Sequence, residues 1–169
     1  MAKVAFIGLG VMGYPMAGHL KVKGGHEVSV YNRTFAKAEK WAAEFGGTAF
    51  RTPAEAVKDV DLVFTCVGND DDLRSVTIAA DGVLDGMKPG AILVDHTTAS
   101  AEVARELDIA ARNKGFGFID APVSGGQAGA ENGVLTIMCG GDAVSFEKAK
   151  PVMEAYARMV GLMGSTGAG

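Results

Sequence analysis

Cysteine, aromatic residues and excess charge of one sign are all scarce in this 169-residue sequence. Its 2 cysteines, Cys66 and Cys139, end apolar runs without metal-type spacing, which excludes a disulfide framework or a zinc site. Both read as reduced, buried packing residues of a cytoplasmic protein. A formal net charge of −4 argues against nucleic acid, whose phosphates call for clustered cations. No run reaches the roughly 18 apolar residues that a membrane helix needs. The apolar opening, residues 4–17, is broken by Gly8, Gly10, Gly13 and Pro15 and lacks a signal peptide's basic leader. With 48% hydrophobic and 21% charged residues, the composition fits one globular domain with a substantial core.

Periodicity and punctuation predict alternating strands and helices. Strands are expected at 3–7, 27–31, 48–50, 61–67, 91–95, 116–120 and 134–139, with 158–163 as a last strand closing the sheet. Helices are expected at 11–23, after Thr34 as a cap, from the capping box Thr52-Pro53-Ala54-Glu55, and at 70–79, 100–114 and 142–156. The strands are continuous apolar runs, as in parallel strands covered on both faces. The expected class is α/β: a doubly wound, Rossmann-type, mostly parallel sheet with helices on both faces. The domain is placed at residues 1–163, with 164–169 beginning a linker.

The first strand runs into Gly8-Leu9-Gly10-Val11-Met12-Gly13, a Gly-x-Gly-x-x-Gly pattern between a predicted strand and a predicted helix. In that context Gly8 permits a tight turn, Gly10 lets a pyrophosphate approach the backbone, and Gly13 lets the helix pack closely. The helix N-terminus then offers amides and a favourable dipole to the phosphates. Where an NAD site places an acidic residue at the end of strand two, this chain has Asn32-Arg33-Thr34. A guanidinium suits a 2′-phosphate, with Asn32 and Thr34 as neutral donors, so NADP is expected in preference to NAD.

Two later loops fall at the same sheet edge. Asp95-His96-Thr97-Thr98 carries hydroxyls for a nicotinamide ribose or a carboxylate, with helix capping as the alternative for Thr98. His96 reads as a partly exposed, inert residue rather than a proton carrier, and His19 and His26 as structural. Residues 120–133, rich in glycine and stiffened by Pro122, read as a backbone-lined cradle, with Ser124 as a hydroxyl and successive amides as anion donors that would suit a carboxylate.

Together the stretches 6–17, 95–98, 120–126 and 133–141 resemble the β-hydroxyacid dehydrogenase family, which includes 3-hydroxyisobutyrate dehydrogenase and tartronate semialdehyde reductase. The resemblance implies NAD(P)-dependent interconversion of a short 3-hydroxy acid and its semialdehyde. It also implies that Val67, Gly68 and Asp72 lie along the coenzyme, that Thr98 contacts nicotinamide or substrate, and that Ser124, Gly125 and Gly126 hold the carboxylate of a small substrate. Val67-Gly68 and His96 depart from the family's usual leucine-proline and small residue. The family's catalytic lysine follows a Gly-x-Gly turn, and here Gly167-Ala168-Gly169 ends the sequence. No catalytic residue is therefore assigned within the chain, and the expectation is a fragment that binds coenzyme without turning over. The intact protein is expected to be a homo-oligomer assembled through an all-helical second domain. Rival readings are an imine reductase, a 6-phosphogluconate dehydrogenase, or a non-catalytic dinucleotide-binding module of a larger protein. Arg33 opposes an S-adenosylmethionine site, which calls for an acid there.

Overall fold

The computed structural model describes residues 1–169. Strand β1 (Lys3–Ile7) leads into helix α1 (Gly13–Val22), followed by β2 (Glu27–Tyr31), α2 (Phe35–Phe45), β3 (Thr48–Phe50) and the single turn α3 (Pro53–Ala56). Then come β4 (Leu62–Thr65), α4 (Asp70–Thr77), the short α5 (Val83–Gly86), β5 (Ile92–Asp95), α6 (Ala101–Asn113) and β6 (Gly117–Asp120). The chain finishes with β7 (Val123–Ser124), α7 (Gly126–Asn132), β8 (Leu135–Gly141), α8 (Ala143–Met153) and β9 (Ala157–Gly164).

These strands form one sheet in the order β3-β2-β1-β4-β5-β6-β8-β7, with β9 also paired to β8. The six strands from β3 to β6 are parallel; β8 then runs antiparallel to β6. This is the doubly wound, mostly parallel Rossmann-type sheet that the apolar runs predict. Alternate residues divide between two cores, as the period of a strand demands. Val4 and Phe6 join a cluster of 27 buried residues on one face, and Ala5 and Ile7 join 18 on the other. Side chains such as Leu20 and Leu107, fully removed from water, contribute about 1.5–3 kcal/mol each. No helix is long and apolar enough to cross a membrane.

Several local expectations need correction. The Thr52 hydroxyl does accept from the Glu55 amide, yet α3 stops after one turn, at Ala56. Thr34 precedes α2 but makes no side-chain cap bond. The glycine-rich stretch after Ser124 is not an open loop: residues 126–132 form α7, whose terminal carbonyls at Ala130 and Glu131 meet His19 Nε2 at 2.9 Å each. Neither α5 nor the two-residue β7 was expected. Strand β9 runs through Gly164, one residue past the expected domain edge, and the turn beyond it folds back onto the sheet.

Strand order reverses between β1 and β4, so their following loops diverge and leave a crevice at the carboxyl edge of the sheet. Register aligns Ile7 with Tyr31 on one side and with Thr65 on the other. The same edge continues from Thr65 to Asp95 and from Asp95 to Asp120. Every loop singled out from the sequence as chemical emerges on this edge.

Candidate functional site

A cleft of about 380 Å³ opens at the strand-order reversal. Its floor is the turn Gly8–Gly13; its walls are Tyr31–Thr34 after β2 and Cys66–Gly68 after β4, with Asp72, Ser75 and Val76 from α4. The three glycines of the turn are present for different reasons. At φ +101°, Gly8 has a backbone that disfavours a side chain, and a Cβ there would collide with the Cys66 carbonyl. A Cβ on Gly13 would collide with the Gly8 carbonyl, so that glycine is required by the approach of α1 to β1. Gly10 is different: a Cβ there would meet nothing within 4 Å. No packing within the protein calls for its bare backbone, but a ligand lying against the turn would.

The backbone amides of Gly10, Val11 and Met12 have no protein acceptor, while Tyr14 N already donates to the Gly10 carbonyl. Three free donors at the start of a ten-residue helix suit an anion. The turn is tied down from outside: Asn32 Oδ1 accepts from the Leu9 amide at 2.9 Å, and Asn32 Nδ2 donates to the Thr34 carbonyl at 3.1 Å. Asn32 is thus occupied in shaping the turn and is not the free donor expected. Arg33, 86% exposed, reaches Asp72 Oδ1 at 3.7 Å across the cleft.

A second cleft of about 280 Å³ lies along the same edge, lined by Asp95, Thr97–Ala101, Ala104, Asp120, Pro122, Gly167 and Gly169. Thr97 joins the two clefts, because its hydroxyl accepts from the amide of Val67 at 3.1 Å. Buried Asp95 accepts from the Thr65 hydroxyl at 2.8 Å and the Thr97 amide at 3.0 Å. Burial outweighs those bonds and raises its pKa to about 6. Asp120 accepts from the amides of Gly167 and Gly169 at 2.7 and 2.9 Å, pinning the final turn. Two carboxylates make this cleft a poor receptor for an anion.

His96 is buried rather than partly exposed. Its Nδ1 lies 2.6 Å from the Ala121 carbonyl, which only accepts, so Nδ1 carries the proton. Nε2 therefore accepts from the Tyr156 hydroxyl at 2.7 Å. Burial lowers the histidine's pKa to about 4, and its ring stacks on Phe64 at 5.8 Å. With both nitrogens engaged and no route to either cleft, it is an internal brace.

The model for the NAD-binding domain of 6-phosphogluconate dehydrogenase matches residues 3–164. The chain belongs to that family. An uncharacterized oxidoreductase of Shewanella frigidimarina is 62% identical over 169 residues, covering 100% of this chain and 58% of that protein. An Arabidopsis thaliana protein named "Probable 3-hydroxyisobutyrate dehydrogenase-like 2, mitochondrial" is 42% identical, over 99% of this chain and 55% of its own length. Among solved structures, Mycobacterium tuberculosis 3-hydroxyisobutyrate dehydrogenase with L-serine superposes with a TM-score of 0.92 at 37% identity, over 100% of this chain and 56% of that one. The resemblance drawn from the motifs is borne out, and the chain spans a little over half the length of these relatives.

Within this NAD-binding domain, Gly8–Gly13, Asn32–Thr34, Val67, Gly68 and Asp72 line the first cleft together, as the sequence reading grouped them. Thr98 lies in the second cleft instead, and the cap of α6 is Ser100, whose hydroxyl accepts from the Val103 amide. Ser124, Gly125 and Gly126 lie outside both clefts, and the two glycines have φ of +133° and +63°, so their backbone alone calls for glycine. Sequence reasoning missed Tyr31, Cys66, Ser75 and Val76. Cys66 packs against the larger core as expected but is only partly buried, its thiol, pushed up to about 12 by burial, lying on the cleft wall. Ser75 and Val76 stand three and four residues after Asp72, the spacing that shares a helix face, and that signal could have found them.

Proposed function

We propose that this chain is the coenzyme-binding half of an NAD(P)-dependent oxidoreductase that interconverts a short 3-hydroxy acid and its semialdehyde, with NADP preferred. The observation that carries the coenzyme site is Gly10, a glycine that no protein contact requires, beside three unpartnered amides. Those amides suit the diphosphate of a dinucleotide, and Asn32 holds them in place through Leu9. Arg33 is the one cation lining the cleft and stands in the loop after β2, where a 2′-phosphate on the adenosine ribose would discriminate NADP from NAD.

When bound, the coenzyme supplies the hydride donor or acceptor. The preference for a 3-hydroxy acid draws on the mycobacterial relative, whose structure contains L-serine, itself a 3-hydroxy carboxylate. Ser124 and the adjoining glycines are proposed to receive the carboxylate, since the second cleft carries two carboxylates of its own. Neither cleft is lined by a lysine, and the chain spans a little over half the length of its relatives, so the lysine that the family resemblance assigns to moving the hydroxyl proton is proposed to lie outside these 169 residues. The chain alone then binds coenzyme and turns over negligibly.

Titrating the chain with NADPH and with NADH, read by nicotinamide fluorescence, tests this reading. Saturable binding, tighter for NADPH, is expected, together with no oxidation of short hydroxy acids. Absence of binding at millimolar coenzyme would sink the site, and equal affinities would sink the NADP preference.

A further inference from the structure

The first cleft is lined by two charged side chains, and they face each other. Arg33 projects from the loop after β2, Asp72 from the first turn of α4, and Nη1 stands 3.7 Å from Oδ1. The neighbouring acids are engaged away from this cleft. Asp70 accepts from the amide and hydroxyl of Ser100 at 3.0 and 2.7 Å, and Asp71 pairs with Arg74 at 3.4 Å. Asp72 is therefore the carboxylate left to meet Arg33. Its seat is made by Gly68: a Cβ on that residue would lie 2.7 Å from Asp72 Oδ2. The bare backbone at 68 lets the carboxylate rest against the β4 turn and point a charge along the cleft.

We propose that Asp72 is a coenzyme-specificity residue, acting as an internal competitor that occupies Arg33 and that a 2′-phosphate has to displace. This rests on the reading of the cleft as a dinucleotide site. A 2′-hydroxyl carries no charge and does not contend for the guanidinium, so NAD(H) binds with the ion pair intact. A 2′-phosphate recruits the same guanidinium and has to break the pair first. The long distance and the exposure of Arg33 keep that pair exchangeable, so the competitor moderates the NADP preference without abolishing it. Discrimination then depends on two residues of opposite sign, and the carboxylate sets how far the arginine's preference is expressed.

Asp72→Asn removes the competitor and preserves the helix, because the cap of α4 uses the Asp72 backbone amide, which donates to Asn69 Oδ1 at 2.8 Å. In the 169-residue chain, with folding checked by thermal melt, the substitution is expected to tighten NADPH binding about three- to fivefold, the scale of an exposed ion pair. The ratio of NADPH to NADH affinity is expected to rise by that factor, and the rise to disappear in the Arg33→Ala background, where nothing remains to compete for. The proposal is overturned if Asp72→Asn leaves the ratio of the two affinities unchanged, tightens both coenzymes alike, or gains as much without Arg33. Failure of the coenzyme reading looks different, since wild type and all variants would then bind neither nucleotide, and the proposal would fall with it.

Discussion

The side-chain oxygen of Asn32 accepts from the backbone amide of Leu9 at 2.9 Å, so the end of β2 holds the shape of the turn that follows β1. Asn32 and Arg33 adjoin in sequence, and under the proposed coenzyme reading Asn32 shapes the turn while Arg33 meets a 2′-phosphate. Asn32→Ala is expected to weaken NADPH and NADH about equally, by roughly fivefold for one lost hydrogen bond. Arg33→Ala is expected to weaken NADPH alone. Paired titrations of both variants would refute this separation of roles if Asn32→Ala discriminated between the coenzymes.

The glycines of the turn make opposite predictions. Gly10→Ala places a methyl in open space and is expected to leave the thermal midpoint unchanged while coenzyme affinity falls about tenfold or more. Gly13→Ala drives a methyl into the Gly8 carbonyl and is expected to cost about 3 kcal/mol or more in urea unfolding. A Gly10→Ala chain that binds as tightly as wild type would remove the main support for a ligand at the turn.

Asp95 and His96 are adjacent, buried and opposed in their response to pH. His96 has its pKa lowered from 6.5 to about 4, so the unfolded chain binds the extra proton between those values and stability falls on acidification through that window. Asp95 has its pKa raised from 3.8 to about 6, so the folded chain binds the extra proton there and stability rises on acidification. The two slopes offset each other between about pH 4 and 6. Asp95→Asn, which keeps an acceptor for Thr65 and Thr97, leaves His96 unopposed. Urea unfolding of that variant is expected to show an added loss of up to about 1.4 kcal/mol per pH unit across this range. Parallel stability curves for variant and wild type would contradict it.

Asp120 reaches the amides of Gly167 and Gly169 with its two oxygens. Asp120→Ala is expected to release that turn while leaving the sheet intact, because β6 pairs with β5 through backbone groups. Hydrogen exchange at residues 167–169 should rise about tenfold or more, in line with the loss of charge-assisted bonds. Unchanged protection there would show that β9 alone orders the turn.

Much of the architecture was legible because its signals are local. Continuous apolar runs such as residues 91–95 mark strands covered on both faces, and the glycine pattern between a strand and a helix marks the turn. The grouping of Gly8–Gly13 with Asn32–Thr34 followed from the glycine motif and the end of strand two, and Val67–Gly68 joined them through the family resemblance. The errors fell where a residue's partner is distant in sequence. Asn32 looked like a free donor because Leu9, 23 residues away, was invisible as its partner. His96 looked exposed because Ala121 and Tyr156 lie 25 and 60 residues further on. Helix α7 was hidden by Gly126 and Gly129, whose weak helix propensity is overridden by packing against α1.

By itself, the order of residues determined the class of fold and the position of the glycine turn between β1 and α1, because periodicity and glycine spacing act over a few neighbouring residues. Only the folded chain decided which glycine is free for a ligand, which histidine is sealed inside and which carboxylate confronts Arg33. Those outcomes depend on contacts between segments far apart along the chain, and no local pattern encodes them.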